Sequence, residues 1–209
     1  MSMSPLNEAK NILQTEINKS FELIQTVNQI SHLKIDQVHS IYELSFLKMF
    51  LAWEFFLEKS FILYMLGKET DNGYKPNRYV SPKDENHAYE LIKGGRSFPD
   101  WLSVDFIKEK SGLFFENGNP FKDILCNDQN INQDLRMMKT IRNRIVHISQ
   151  KTKDEFSKIL KDEFGYDLGI VPGEFLKKDK KSKKGSPQSL SYIEYFKNIL
   201  LIVADNIMR

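Results

Sequence analysis

The segment "ELSFLKMFLAWEFFLEKSFILYMLG", Glu43 to Gly67, constrains this chain more than any other. It is long and apolar enough to span a bilayer, so whatever the chain becomes must hide it from water. Lys48, Glu54, Glu58 and Lys59 lie within it, and each charge near a bilayer centre costs about 2.5 to 3.5 kcal/mol. The segment therefore reads as the central helix of a helical bundle rather than a membrane span. It runs from about Gln37 to Leu66, with apolar residues on most faces and Gly67 as its C-terminal cap.

The remaining apolar patterns supply helices to cover it. From Asn7 to Ile30, apolar residues fall at spacings of three, four and seven, the signature of an amphipathic helix. A third long helix begins near Gln129, where Ile131, Leu135, Met138, Ile141, Ile145 and Ile148 form a stripe. Thr152 or Asp154 starts a further helix through Phe164, closed by Gly165, and a last one covers Leu190 to Met208. Shorter helices are predicted from Ser81 or Asp84 to Ile92 and over "WLSVDFIKEKSG", ending at Gly112. Residues 68–82 and "FFENGNPF" read as loop and turn, and "DLGIVPGEFL" as a short extended piece. The expected fold is all-α, a single domain over residues 1–209, with long connections and little or no strand.

Composition narrows the function. The 209 residues are 41% hydrophobic, enough for one sizeable core. The net charge of +2 excludes nucleic-acid binding by bulk electrostatics alone, so any such contact must be local. Cys126 is the single cysteine, which rules out an internal disulfide and a paired-cysteine zinc site. The opening "MSMSPLNEAK" has neither a basic start nor an apolar stretch of signal-peptide type, and a cytoplasmic protein is expected.

The chemistry-bearing stretch is "TIRNRIVHIS", Thr140 to Ser149. Its isoleucines belong to the apolar stripe, but Arg142, Asn143 and His147 are not needed by a core. Asn143 and His147, four residues apart, share one face of a helix. Arg142 lies about 140° round from His147 on an ideal helix, so only a long side chain, a loosened helix end or a second protomer brings the two to one substrate. An arginine can grip phosphate oxygens bidentately and stabilise added negative charge. A histidine can take a proton from a ribose 2′-hydroxyl or give one to a departing 5′-oxygen. Together these groups suffice for RNA cleavage without a metal or cofactor. By itself the spacing is weak, since an Arg–His pair at this separation arises by chance in about one such chain in ten, and a basic helix surface gives the same letters.

With its flanks the motif becomes more specific. "RNRIVH" resembles the arginine, polar residue and histidine signature of the HEPN superfamily. The aromatic, acidic helix "LAWEFFLEKSFILYMLG" before it, and "VPGEFL" and "GSPQSLSYIEYFKNIL" after it, resemble the branch called RiboL-PSP-HEPN. The resemblance covers residues 43–67 and 130–208. It implies an endoribonuclease acting without metal on single-stranded RNA, as a homodimer whose two motifs form one composite site. Arg142 would bind phosphate, His147 transfer protons and Asn143 orient them. It also implies a toxin or anti-phage defence effector, with an antitoxin or defence-system partner. Related toxins often carry a tyrosine two positions after the histidine, where Ser149 stands here, which speaks against control by tyrosine modification at that site. Some members of the superfamily only bind RNA or a protein, and that alternative stays open.

Other residues have two readings each. Glu54, set among aromatic residues, is costly to bury without a partner; it can pair with Arg142 or Arg144 and set the guanidinium, or meet a lysine or the backbone without a catalytic role. Arg144 is a second phosphate contact or plain surface. Lys177 to Lys184 hold six lysines and one aspartate, and residues 177–188 read as a mobile basic loop. Lys180, Lys181, Lys183 and Lys184 are its candidate RNA contacts, against the reading of a solvated loop. Trp53 and its neighbouring phenylalanines read as core. His32, His39 and His87 have no metal-binding spacing, and "GGRSF" lacks the context of a nucleotide-binding loop.

Overall fold

The computed structural model describes residues 3–180 and 190–209. Over them the chain is all-α: α1 (Pro5–Asn28), α2 (Ile35–Met65), α3 (Glu85–Lys93), α4 (Val104–Phe114), α5 (Gln129–Val146), α6 (Gln150–Phe164), α7 (Pro172–Lys177) and α8 (Tyr192–Ile207). A 3₁₀ turn at Glu116–Gly118 and a π-helical segment at Lys122–Asn127 join α4 to α5. Among the described residues, β pairing is limited to two isolated bridges, Arg78 with Phe115 and Asp179 with Ser191. None of the described helices is long and apolar enough to cross a membrane. The chain divides into two compact units, one made of Met1–Thr15, Ala52–Arg136 and Leu200–Arg209, the other of Glu16–Leu51 and Met137–Ile199.

In the first unit, Phe61 of α2 is the centre of an aromatic cluster. Its ring lies 4.7 Å from Phe121, 4.9 Å from Phe115 and 5.4 Å from Trp101, centre to centre. This cluster explains a difference from the sequence reading, which stops α4 at Gly112. Glycine inside a helix costs about 1 kcal/mol. Continuing through it brings Phe114 and Phe115 into burial, each worth about 1.5 to 3 kcal/mol. The charges inside the apolar segment find partners. Lys59 pairs with Glu85 at 2.7 Å, and Glu58 accepts the Trp101 indole N–H at 2.6 Å. Gly67 ends α2 with φ +73°, and a Cβ there would lie 2.6 Å from the Arg78 guanidinium. That guanidinium donates to the Met65 carbonyl at 2.6 Å, satisfying one of the carbonyls a helix end leaves open.

In the second unit, Phe175 of α7 stacks 4.1 Å from Tyr192 of α8, and Phe156 of α6 lies 5.8 Å from Phe175. Tyr192 and Phe46 each lie 6.0 Å from Phe196. The sequence reading takes this region before the lysines as extended. The structure instead starts α7 at Pro172, which suits a first helical turn because no N–H is needed there, and buries Phe175 and Leu176 completely. Gly173 lets α7 approach α2 at backbone distance. Its N–H donates to Glu43 Oε1 at 2.9 Å, and a Cβ on it would stand 2.2 Å from the His39 carbonyl oxygen.

Helix α2 is not covered all round. Leu44, Leu51 and Phe55, seven and four residues apart on one stripe, are 63, 58 and 46% exposed. The lysine run also differs at its start. Lys177 is the last residue of α7, and the Lys180 N–H donates to the Leu190 carbonyl at 2.8 Å. The remainder of the expected basic loop, including Lys181, Lys183 and Lys184, lies outside the described residues.

Candidate functional site

Helix α5 begins where the Asp128 carboxylate accepts the N–H groups of Asn130 and Ile131 at 2.9 and 3.1 Å, an N-terminal cap. Leu135, Met138 and Ile141 are buried as the stripe predicts. The stripe then leaves the core: Ile145 is half-buried, and Ile148, beyond the helix end, is 95% exposed. The chemistry-bearing residues occupy the turn where this happens. Arg142, Asn143 and Arg144 are half-buried, and the His147 side chain is exposed.

Two contacts shape the turn. Arg142 Nη1 donates to Asn143 Oδ1 at 3.2 Å. Helix geometry places Asn143 about 40° from His147 and Arg142 about 140° away. Bonding to Asn143 therefore draws the guanidinium toward the histidine's side, which reduces the angular separation noted from the sequence. The second contact concerns the backbone of His147. Its N–H donates to the Asn143 carbonyl at 2.9 Å, completing the last turn of α5. Its carbonyl accepts the Thr152 hydroxyl at 2.7 Å and the Ser149 N–H at 3.2 Å.

Ser149 and Thr152 were not legible as part of the motif. The sequence reading starts α6 at Thr152 or Asp154; in the structure Ser149 caps it, its hydroxyl accepting the Thr152 N–H at 3.3 Å, and Thr152 is buried. The signal available was the preference of serine for the N-cap position, three residues ahead of the threonine. The histidine thus stands between the end of one helix and the cap of the next, with both of its peptide groups bonded.

Glu54 is half-buried and belongs to the first unit, whereas Arg142, Asn143, Arg144 and His147 belong to the second. Lys180 is engaged: its ammonium lies 3.8 Å from Glu163 Oε2 and stands over the rings of Tyr195 and Tyr192, at 4.4 and 5.1 Å. Glu163 also accepts the Tyr192 hydroxyl, and burial together with that carboxylate pushes the Tyr192 phenol well above its ordinary range. The second unit has a cavity of about 250 Å³ lined by Asn28, Tyr42, Ser191 and Glu194 among others, where Asn28 bonds Tyr42 and Ser191 bonds Glu194. Its lining does not include the motif. Among the described residues, no group of three or more histidine, cysteine, aspartate or glutamate side chains is arranged to hold a metal ion.

The arrangement offers a fixed guanidinium for an anionic oxygen and an exposed imidazole for proton transfer, on a turn that also carries Arg144. Set against protein-family models, curated proteins and solved structures, the chain matches none.

Proposed function

We propose that this chain is a HEPN-type endoribonuclease that cleaves single-stranded RNA without a metal, as a cytoplasmic homodimer serving as a toxin or anti-phage defence effector. The observation that carries the reading is the Arg142 guanidinium bonded to Asn143 Oδ1, one turn before the exposed His147 on the same helix end. In the reaction, the 2′-oxygen of a ribose attacks the adjacent phosphorus while the bond from phosphorus to the 5′-oxygen breaks. A neutral imidazole takes the 2′-hydroxyl proton, and a protonated one gives a proton to the departing 5′-oxygen. A single His147 cannot do both in one step, so the same residue of a second protomer fills the other role. Arg142 meets the charge that builds on the phosphate oxygens. Products carry a 2′,3′-cyclic phosphate and a 5′-hydroxyl, and DNA is spared because it lacks the attacking group. Val146 and Ile148, 46 and 95% exposed on either side of the histidine, offer an apolar surface for the second protomer.

The test is cleavage of single-stranded RNA by purified protein in excess EDTA. The expected result is cyclic-phosphate products, lost about 10²- to 10⁴-fold in His147→Ala. Cleavage that needs added metal, or that survives His147→Ala undiminished, overturns the mechanism. The exposure of Ile148 favours a second reading, a non-catalytic module that docks a protein partner or RNA; bound but intact RNA with a folded wild type would select it.

A further inference from the structure

The reach of the proposed site depends on what fixes the histidine, and the fixing group comes from the next helix. The Thr152 side chain is 7% exposed and its hydroxyl has three oxygens in reach: the His147 carbonyl at 2.7 Å, the Ser149 carbonyl at 3.1 Å and the Ser149 hydroxyl at 3.2 Å. A hydroxyl carries one hydrogen, and the shortest contact takes it. The His147 carbonyl is also one of those that a helix end leaves without an internal partner, and its other donor, the Ser149 N–H, is the longer at 3.2 Å.

We infer that Thr152 is a positioning residue, whose hydroxyl fixes the peptide after His147 and thereby aims the imidazole. This rests on the proposed function for its catalytic consequence but not for its structural one. Because Thr152 is also the residue whose backbone N–H bonds the Ser149 cap, the first turn of α6 and the peptide after the histidine are set by the same residue, the one through its backbone and the other through its side chain. Displacements of about 1 Å at a reacting group can cost about a hundredfold in rate, so loss of this bond acts on turnover rather than on RNA binding, which the arginines supply.

The experiment compares wild type with Thr152→Val, which keeps shape and removes the hydroxyl, and Thr152→Ser, which restores it. Two readouts are taken: kcat and KM on single-stranded RNA, and hydrogen exchange of the Ser149 amide by NMR. Thr152→Val is expected to lower kcat about 10- to 100-fold with KM within about twofold, and to speed Ser149 exchange about tenfold; Thr152→Ser is expected to stay near wild type in both. If Thr152→Val does not fold, Thr152→Cys, which keeps the volume with a weak donor, carries the same expectation. Unchanged exchange and unchanged kcat in the hydroxyl-free variant, or equal damage in Thr152→Ser, overturns the inference. A wild type that does not cleave RNA removes the proposed function instead, and the exchange measurement alone then decides whether Thr152 holds the peptide.

Discussion

Replacing Gly173 by alanine adds one carbon in a place where the structure leaves no room. The new Cβ would stand 2.2 Å from the His39 carbonyl oxygen, 2.6 Å from its carbon and 2.8 Å from its Cα. All three are backbone atoms of α2, which cannot swing aside as a side chain can. The alternative is for α7 to withdraw, which breaks the bond from the Gly173 N–H to Glu43 Oε1. Overpacking costs about 1 to 3 kcal/mol, and a lost hydrogen bond to a charged group about 1.5 to 3 kcal/mol. Against these, alanine gains about 1 kcal/mol of helix propensity over glycine. The balance is a loss of about 1.5 to 5 kcal/mol, or about 3 to 20 °C in Tm at this chain length. Urea denaturation and thermal unfolding by circular dichroism measure it. Gly112→Ala is the matched control, because Gly112 lies within α4 with nothing within 4 Å of its added carbon. It should be neutral or stabilise by up to about 1 kcal/mol. A Gly173→Ala protein within about 0.5 kcal/mol of the parent, with unchanged denaturant sensitivity, would refute the close-approach argument.

Burial pushes the Cys126 thiol from 9.0 up to about 11, so at pH 8 its thiolate fraction is about a hundredfold below that of an ordinary cysteine. Alkylation by iodoacetamide should be correspondingly slow in the native protein and rise on adding urea; equal rates would sink the prediction. Glu58→Leu leaves the buried Trp101 indole N–H without its acceptor and should cost about 1 to 3 kcal/mol, whereas Glu58→Gln keeps an acceptor and should cost less, both read by urea denaturation. The Asp167 carboxyl is held below its ordinary value of 3.8 by the Ser157 hydroxyl and the Gly169 N–H. A lowered native pKa contributes stability that is present above 3.8 and lost as pH falls through the native value. Ser157→Ala should therefore move the Asp167 titration upward in an NMR pH series, and an unmoved titration would count against the assignment.

The long helices were readable because burial repeats at the helical period. Met138 and Ile141 on α5, and Phe196, Leu200 and Val203 on α8, are at or near zero exposure where the spacing places them. Asp84 caps α3 and Gly165 closes α6 in the left-handed region, both as local residue chemistry predicts. What the letters did not give depends on partners far away in sequence. The helix over Pro172–Lys177 is decided by burial of Phe175 against Tyr192, and the passage of α4 through Gly112 by burial of Phe114 and Phe115. The candidate site divides in the same way. Arg142, Asn143 and His147 are visible as a spacing, but the bond from Arg142 to Asn143 depends on rotamers, and the bond from Thr152 to the His147 carbonyl depends on where the intervening turn goes. Ile148 belongs to the periodic stripe by its letter and lies outside the helix by its backbone.

The end of α2 has a consequence for how this molecule can vary. Asparagine is the usual replacement for a glycine in the left-handed conformation, because it tolerates the backbone angle. At Gly67 the angle is only one of two demands, since the Arg78 guanidinium fills the space a side chain would need. Asparagine would meet the first demand and evict the arginine, leaving the Met65 carbonyl unanswered. The Gly67 and Lys68 N–H groups close the turn locally, on the Tyr64 and Leu63 carbonyls, but the Met65 carbonyl is answered by a residue that comes from the following loop. A change that moves that loop therefore reaches the end of the helix as well.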